Sequence, residues 1–334
     1  MLGYTGRPAR SPSDPHPSTG IPHLNDYARA PNQLRCLKGG RLANAPSSGI
    51  QLGVVTLVTA VRNSASTLSR TIDSVRAQSY PLIEYIVVDG GSTDGTVELL
   101  RQRDREIDLW LSETDRGISD AFNKGIALAS GEFVALVNAD DWLEPEHIAQ
   151  SIDSLTRSGA DFSFGNLLLH DETDVPLYRI IGDERYGHRL HHAMPALNHP
   201  SMVCRSTQYA RYGLYDLSYR IGMDYEWFLR NHKRGAVGTY VPSLTSHMGA
   251  AGVSQRDIRT SLLEVRRASV AYGYPTCFAA LRYHVRLLRV HTRMLLEQWL
   301  PPRLLDPLRT ALNPSYRRAP SNPHESQHNF SRPT

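Results

Sequence analysis

The run VVTLVTAV at 54–61 is apolar and β-branched, is bounded by Gly53 and Asn63, and predicts a buried strand. A helical period follows. Leu68, Ile72 and Val75 share one face, Ser66 stands where an N-cap belongs, and the segment runs to about Gln78. YIVVD (85–89) predicts a second strand, after which Thr93 or Asp94 caps a helix carrying Val97, Leu99 and Leu100. LWLSE (109–113) predicts a third strand; Ile118, Phe122, Ile126 and Ala129 form a helical stripe ending at Gly131. FVALVNADD (133–141) predicts a fourth strand running into a polar turn. Buried strands alternating with helices imply an α/β fold, a mostly parallel sheet with helices on both faces. Ligands of such sheets bind beyond the carboxyl ends of the strands. The polar residues collect there: Asn63, Asp89, Glu113 with Asp115, and Asn138 with Asp140 and Asp141.

The two ends of the chain read differently. Fourteen of the 21 prolines lie in 1–50 and 301–334, and neither segment holds a sustained apolar period. Both are expected to be disordered tails, because they bury too little apolar surface to offset ordering entropy. The folded domain is expected over 51–275 and a basic amphipathic helix over 276–300. In FAALRYHVRLLRVHTRMLLEQWL (278–300), Leu281, Val285, Leu288, Leu295 and Trp299 line one face, and Arg282, Arg286, Arg289 and Arg293 line another. This suits either an anionic membrane surface or a helix packed on the domain with solvated arginines.

Charge sharpens the division. Residues 1–50 hold six basic and two acidic residues, and 278–334 hold nine arginines against three acids, so the net charge of +4 conceals an acidic middle. That argues against a nucleic-acid-binding core. The three cysteines, Cys36, Cys204 and Cys277, are scattered and form no CxxC pair, which suits a reducing compartment. No signal peptide and no membrane-length apolar run is seen, so the expected location is cytoplasmic, with 278–300 the candidate contact to the inner face of the plasma membrane.

Two segments carry candidate chemistry. The Asp140-Asp141 pair at a strand end needs a counter-charge, which a Mg²⁺ or Mn²⁺ ion would supply while neutralising a diphosphate leaving group. The alternative is an acidic turn before the helix that starts near Pro145. GGSTDGT (90–96) offers glycines for close backbone approach and amides for an anion, or is an ordinary turn into the next helix.

Taken together, VTAVRNSASTLSRTIDSVRAQSYPLIEYIVVDGGSTDGTVELL and SETDRGISDAFNKGIALASGEFVALVNADDWLEP resemble the nucleotide-binding half of glycosyltransferase family 2, most closely its bacterial exopolysaccharide and colanic-acid-type branch. The resemblance implies a GT-A fold and an inverting transfer from a nucleotide-diphosphate sugar, with UDP favoured, to a glycan or lipid-linked hydroxyl. It places Thr59, Ala60 and Val61 alongside the base, with Asn63 near. Asp89 would accept from the base ring, and Asp115 and Lys124 would lie by the ribose and phosphates. Asn138-Ala139-Asp140 stands at the family's Asp-x-Asp position; Asp140 would bind Mn²⁺ or Mg²⁺ and Asn138 the ribose, with Asp141 a further ligand or a helix cap. SYRIGMDYEWFLR (218–230) resembles the segment carrying the base, which assigns Asp224 to that role and Glu226 as its substitute on the acceptor side. NHPSMVCR puts His199 by the acceptor, and HMGAAGVS puts His247 near the metal or phosphates. A nucleotidyltransferase would want a Gly-rich loop with Arg and Lys after the first strand, which VRNSAST lacks. An inactive binding protein would not need Asp89, Asp140 and Asp224.

Overall fold

The computed structural model describes residues 21–27, 37–42, 49–190, 195–249, 257–299 and 315–318. Within them one mixed sheet of 11 strands forms. The strands are β1 (Leu37–Gly39), β2 (Gln51–Val61), β3 (Ile83–Asp89), β4 (Leu109–Ser112), β5 (Gly131–Asn138) and β6 (Trp142–Leu143). They continue with β7 (Phe162–His170), β8 (Pro176–Ile180), β9 (Val203–Arg205), β10 (Gly238–Gly249) and β11 (Tyr316–Arg318). Their order is β1-β4-β3-β2-β5-β9-β7-β10-β6, with β8 paired to β7 and β11 to β8. Strands β4, β3, β2 and β5 run parallel, as the alternation of strand and helix predicts. Beyond β5 the direction reverses at β9, and β7 and β10 pair in parallel again.

The helices are α1 (Leu24–Tyr27), α2 (Leu68–Arg76), α3 (Thr96–Gln102), α4 (Ile118–Leu128) and α5 (His147–Ser158), then α6 (Tyr186–Arg189), α7 (Thr207–Tyr212), α8 (Met223–Lys233), α9 (Ile258–Ala271) and α10 (Thr276–Trp299). Strand pleating sorts the side chains of β2 into two cores. Val58 and Ala60 join Phe122 and Ile126 of α4 on one face; Val55, Leu57 and Val61 join Leu68 and Ile72 of α2 on the other. Helix α4 lies so close to β2 that a Cβ at Gly125 would stand 2.1 Å from Val58 Cγ1, which restricts that position to glycine.

Some local expectations shift. Helix α2 starts at Leu68 with Thr67 at the N-cap, and no side chain caps it, so Ser66 does not act there. The N-cap of α3 is Gly95, not Thr93 or Asp94; Asp94, one residue earlier, accepts the Thr96 N–H at 3.1 Å. Strand β5 ends at Asn138, leaving Asp140 and Asp141 in the turn before β6.

The tails also depart from a uniformly disordered reading. Tyr27 buries its ring in the α4-side core and donates its hydroxyl to Asp120 Oδ1 at 2.7 Å, while β1 pairs antiparallel with β4. At the other end β11 pairs with β8. A single aromatic anchor and three-residue edge strands leave no periodicity to read. Residues 1–20, 28–36, 43–48, 301–314 and 319–334 lie outside the described residues.

Candidate active site

The four parallel strands end in register. Ala60 pairs with Asn138 on β5 and Val88 on β3; Val61 pairs with Asp89, and Asp89 with Ser112. The chain passes from β2 to β3 on one side while β5 lies on the other, so the sheet's switch point opens between β2 and β5, where such folds hold ligands.

Two loops at this rim are tied together by side chains. Asp89, fully buried, accepts the Gly91 and Ser92 N–H groups at 3.2 and 3.1 Å and the Ser112 hydroxyl at 2.5 Å, all on Oδ2. Its Oδ1 accepts the Ser92 hydroxyl. Asn63 sits at φ 52°, a left-handed conformation that asparagine tolerates. Its N–H donates to Ser92 Oγ at 2.7 Å and its side-chain oxygen accepts the Thr93 N–H at 2.9 Å. Asp94 accepts the Ala65 N–H at 3.0 Å. Asp89 and Asn63 thus shape the GGSTDGT loop. Thr59 Oγ1 lies 3.1 Å from the Tyr85 hydroxyl inside the sheet, and Ala60 and Val61 are apolar, so none of the three offers a free polar side chain to the rim.

Asp115 packs against this loop: a Cβ at Gly90 would lie 2.3 Å from its Oδ2. Burial raises the Asp115 carboxyl above its ordinary value, opposed by the Gly117 N–H and the Lys124 charge. Lys124 itself reaches Glu113 at 2.6 Å and Asp120 at 3.5 Å. Its ammonium is therefore held between two carboxylates.

The acidic turn after β5 fits a hard cation. Asn138 donates its amide to Asp141 Oδ2 at 2.7 Å, and this leaves Asn138 Oδ1 and Asp141 Oδ1 buried with no hydrogen-bond partner. Burial is costly for such oxygens without a counter-charge. Desolvation pushes Asp141 well above the usual carboxylate range, and Asp140 adds to it; desolvation also raises Asp140, with Arg70 pulling the other way. Among the described residues no three His, Cys, Asp or Glu side chains form a ligand set, so Asp140, Asp141 and His247 are not assembled as one. His247 is engaged elsewhere. It stacks on Trp142 at 4.9 Å, shares a hydrogen bond with His170 at 2.9 Å, and stands 3.5 Å from Glu144.

Asp224 stands half-buried in the first turn of α8. Desolvation pushes its carboxyl up to about 6, and the nearby Glu264 charge acts in the same direction. Its Oδ1 accepts the Tyr225 N–H at 2.7 Å. Glu264, on α9, accepts the N–H groups of Arg220, Ile221 and Gly222 at 2.8, 2.8 and 2.7 Å, satisfying the chain that leads into α8.

Two acceptor-side expectations are corrected. Glu226 is buried at 1% exposure in a two-pronged pair with Arg230, both contacts 2.9 Å, and takes the Tyr272 hydroxyl at 2.6 Å. Arg230 also donates to the carbonyls of Tyr212 and Leu214. This is an internal ion pair that ties α8 to its neighbours, with both carboxylate oxygens of Glu226 engaged inside the domain. His199 is buried among Phe122, Tyr215 and Phe228, with Nε2 3.0 Å from the Tyr215 hydroxyl, and burial holds it down at about 4. It is a core histidine and does not face the crevice.

Sequence reasoning missed Arg70, Trp142, His170 and Glu264. The Arg70 guanidinium lies 3.6 Å above the Trp142 ring and pairs with Asp174. Only Trp142, next to the Asp pair, carried a sequence signal; Arg70, His170 and Glu264 come from helix α2, the end of β7 and helix α9.

Residues 56–217 match the family described as Glycosyl transferase family 2. The chain is 36% identical over 182 residues to an uncharacterized glycosyltransferase of Mycobacterium tuberculosis, covering 53% of this chain and 68% of the relative. It is 35% identical over 114 residues to the succinoglycan biosynthesis protein ExoO of Rhizobium meliloti, 34% of this chain and 33% of that one. Among solved structures, TarS 1–349 of S. aureus in complex with UDP matches with a TM-score of 0.51 at 15% identity, over 78% of this chain and 79% of that chain. The mannosyltransferase PcManGT from Pyrobaculum calidifontis, in complex with GDP-Man and Mn²⁺, matches with a TM-score of 0.49 at 16% identity, over 78% of this chain and 81% of that chain. The fold is that of the GT-A transferases, and the class is nucleotide-sugar glycosyltransferase. The chain belongs to glycosyl transferase family 2.

Proposed function

We propose that this enzyme is an inverting glycosyltransferase that moves a sugar from a UDP-sugar to a hydroxyl of a glycan or lipid-linked acceptor in polysaccharide biosynthesis. The observation that carries the reading is the pair of unpartnered buried oxygens, Asn138 Oδ1 and Asp141 Oδ1, at the switch point beside Asp140. They are hard donors: Asp140 and these oxygens are the residues that would hold a Mn²⁺ or Mg²⁺ ion, whose charge would offset that of a diphosphate leaving group. UDP is favoured because TarS, which shares the fold, binds it; ExoO, a relative by sequence, is a succinoglycan biosynthesis protein.

The rest of the mechanism belongs to the chain. The loop held by Asp89, Asn63 and Asp94 lines the nucleotide crevice. Asp224 takes the proton of the acceptor hydroxyl. The acceptor oxygen bonds to the anomeric carbon from the face opposite the diphosphate, whose oxygen leaves with the bonding electron pair, so the configuration inverts. A carboxyl held up to about 6 is a better base than a free one and is still ionised at neutral pH.

The test is release of nucleoside diphosphate from a panel of nucleotide sugars, with and without Mn²⁺. Asp140→Ala is expected to abolish metal-dependent donor binding and keep the melting temperature. Full activity in excess EDTA overturns the metal assignment, release from GDP-sugars alone overturns the UDP assignment, and a product of retained configuration overturns the single displacement.

A further inference from the structure

Helix α10 packs on α9 by one side only. Ala279 and Tyr283 are buried there, and the Arg266 guanidinium lies 6.0 Å from the Tyr283 ring centre. The opposite side carries Phe278, Leu281, Val285, Leu288, Leu295 and Trp299, all exposed, Leu288 at 68% and Trp299 at 83%. At about 100° per residue these six side chains fall within an arc of about 100°. They form one stripe along a helix of 24 residues. No helix of the described residues is long and apolar enough to cross a membrane, so the stripe is a surface feature.

Its border is cationic. Arg282 and Arg289 are exposed between the stripe and the packed side, and 278–300 holds four arginines against one acid, Glu297. A small cleft between α9 and α10 is lined by Arg266, Arg282, Arg286, Ser269 and Tyr274. Burial holds the Arg286 guanidinium below its usual range; Tyr225 acts against this, while Arg282 and Arg289 add to it.

We propose that α10 docks the enzyme flat on a bilayer rich in anionic phospholipid, with the apolar stripe in the headgroup–acyl boundary and the arginines on lipid phosphates. Charge complementarity selects this occupant. A second copy laid on the stripe would bring two arginine rows together. Residues 300–314, the stretch of this chain that follows the helix, carry two arginines and one aspartate and so match the wrong sign. An acidic leaflet supplies both an apolar interior and a plane of negative charge within the depth of about 5–10 Å that such a helix enters. Stable peripheral attachment needs two weak signals, and both are present here.

The experiment is sedimentation of the full chain with vesicles of phosphatidylcholine alone or mixed with phosphatidylglycerol. The chain is expected to bind only the mixed vesicles, and less as salt rises. Leu288→Glu/Leu295→Glu and Arg282→Glu/Arg289→Glu are each expected to lower the affinity by at least about tenfold, with unchanged melting temperature and unchanged nucleotide-sugar binding. Absence of wild-type binding to the mixed vesicles overturns the proposal, as does normal binding by either variant. A wild-type dimer in solution that Leu288→Glu/Leu295→Glu dissociates assigns the stripe to self-association and overturns it. Complete displacement from vesicles by millimolar inorganic phosphate reduces the site to a free-anion cleft and overturns it too. None of these readouts depends on the donor chemistry, so the docking and the proposed transfer fail separately.

Discussion

Glu264 and Asp224 meet at the start of α8 from two different helices. Glu264 accepts three consecutive backbone N–H groups just ahead of α8, those of Arg220, Ile221 and Gly222. Asp224 follows two residues after Gly222, and the Glu264 charge helps hold its proton. One carboxylate thus fixes the backbone that carries the other and sets part of its acidity.

Asp224→Asn is expected to bind nucleotide sugar normally and turn over at least about a hundredfold more slowly, the usual scale of a lost general base. Wild-type turnover is expected to rise with pH through about 6, where Asp224 ionises. The stability effect has a defined sign. The folded carboxyl titrates at about 6, above its ordinary 3.8, so its stabilising contribution is complete below 3.8 and lost as pH rises through 6. Asp224→Asn is therefore expected to melt higher than wild type above pH 6, with the gap closing towards acid. Calorimetry across pH and single-turnover kinetics check both; equal melting at neutral pH means Asp224 is not held up by burial.

Glu264→Gln keeps acceptor oxygen near α8 and removes the charge. The acidic limb of the turnover–pH profile is expected to move to lower pH, because the Glu264 charge no longer opposes ionisation of Asp224. A purely structural role for Glu264 would lower the melting temperature and leave that limb in place.

Glu226→Gln is expected to cost about 3–5 kcal/mol of folding stability, because it leaves the Arg230 guanidinium buried without its counter-charge. Denaturant unfolding measures the loss. If the variant stays near wild-type stability but loses turnover under conditions where it is folded, Glu226 is the base and Asp224 is not.

Tyr27→Phe removes a hydrogen bond to a buried carboxylate and is expected to cost about 1.5–3 kcal/mol. A chain beginning at Ile50 loses this anchor together with β1 and is expected to melt lower than the full chain. An unchanged melting temperature for the shortened chain would show that α1 and β1 add nothing to stability.

Much of the fold was legible along the chain, for an identifiable reason. In the parallel run, each strand is a continuous apolar segment and each helix a period on one face, so local order follows from which side chains must leave water. The loops at the strand ends are legible too, since Asp89 and Asp94 bond to backbone within three residues. The later strands pair in mixed directions and interleave, and no short-range pattern encodes that.

By itself the sequence determined the α/β order, the placing of polar residues at the carboxyl ends of the strands, and the two-faced character of 278–300. Only the tertiary structure decided which of those residues are available for chemistry. Asp224 and Glu226 are two positions apart on one helix, yet Arg230 and Tyr272 occupy the second while the first stays half-buried and raised to about 6. His199 sank into an aromatic core, Lys124 closed on Glu113, and α10 turned Ala279 and Tyr283 inward with Leu281, Leu288 and Leu295 outward. Solvation and charge pairing depend on partners far away in the chain. A residue's type states what chemistry it can do, and its distant neighbours decide whether an oxygen or nitrogen is left to do it.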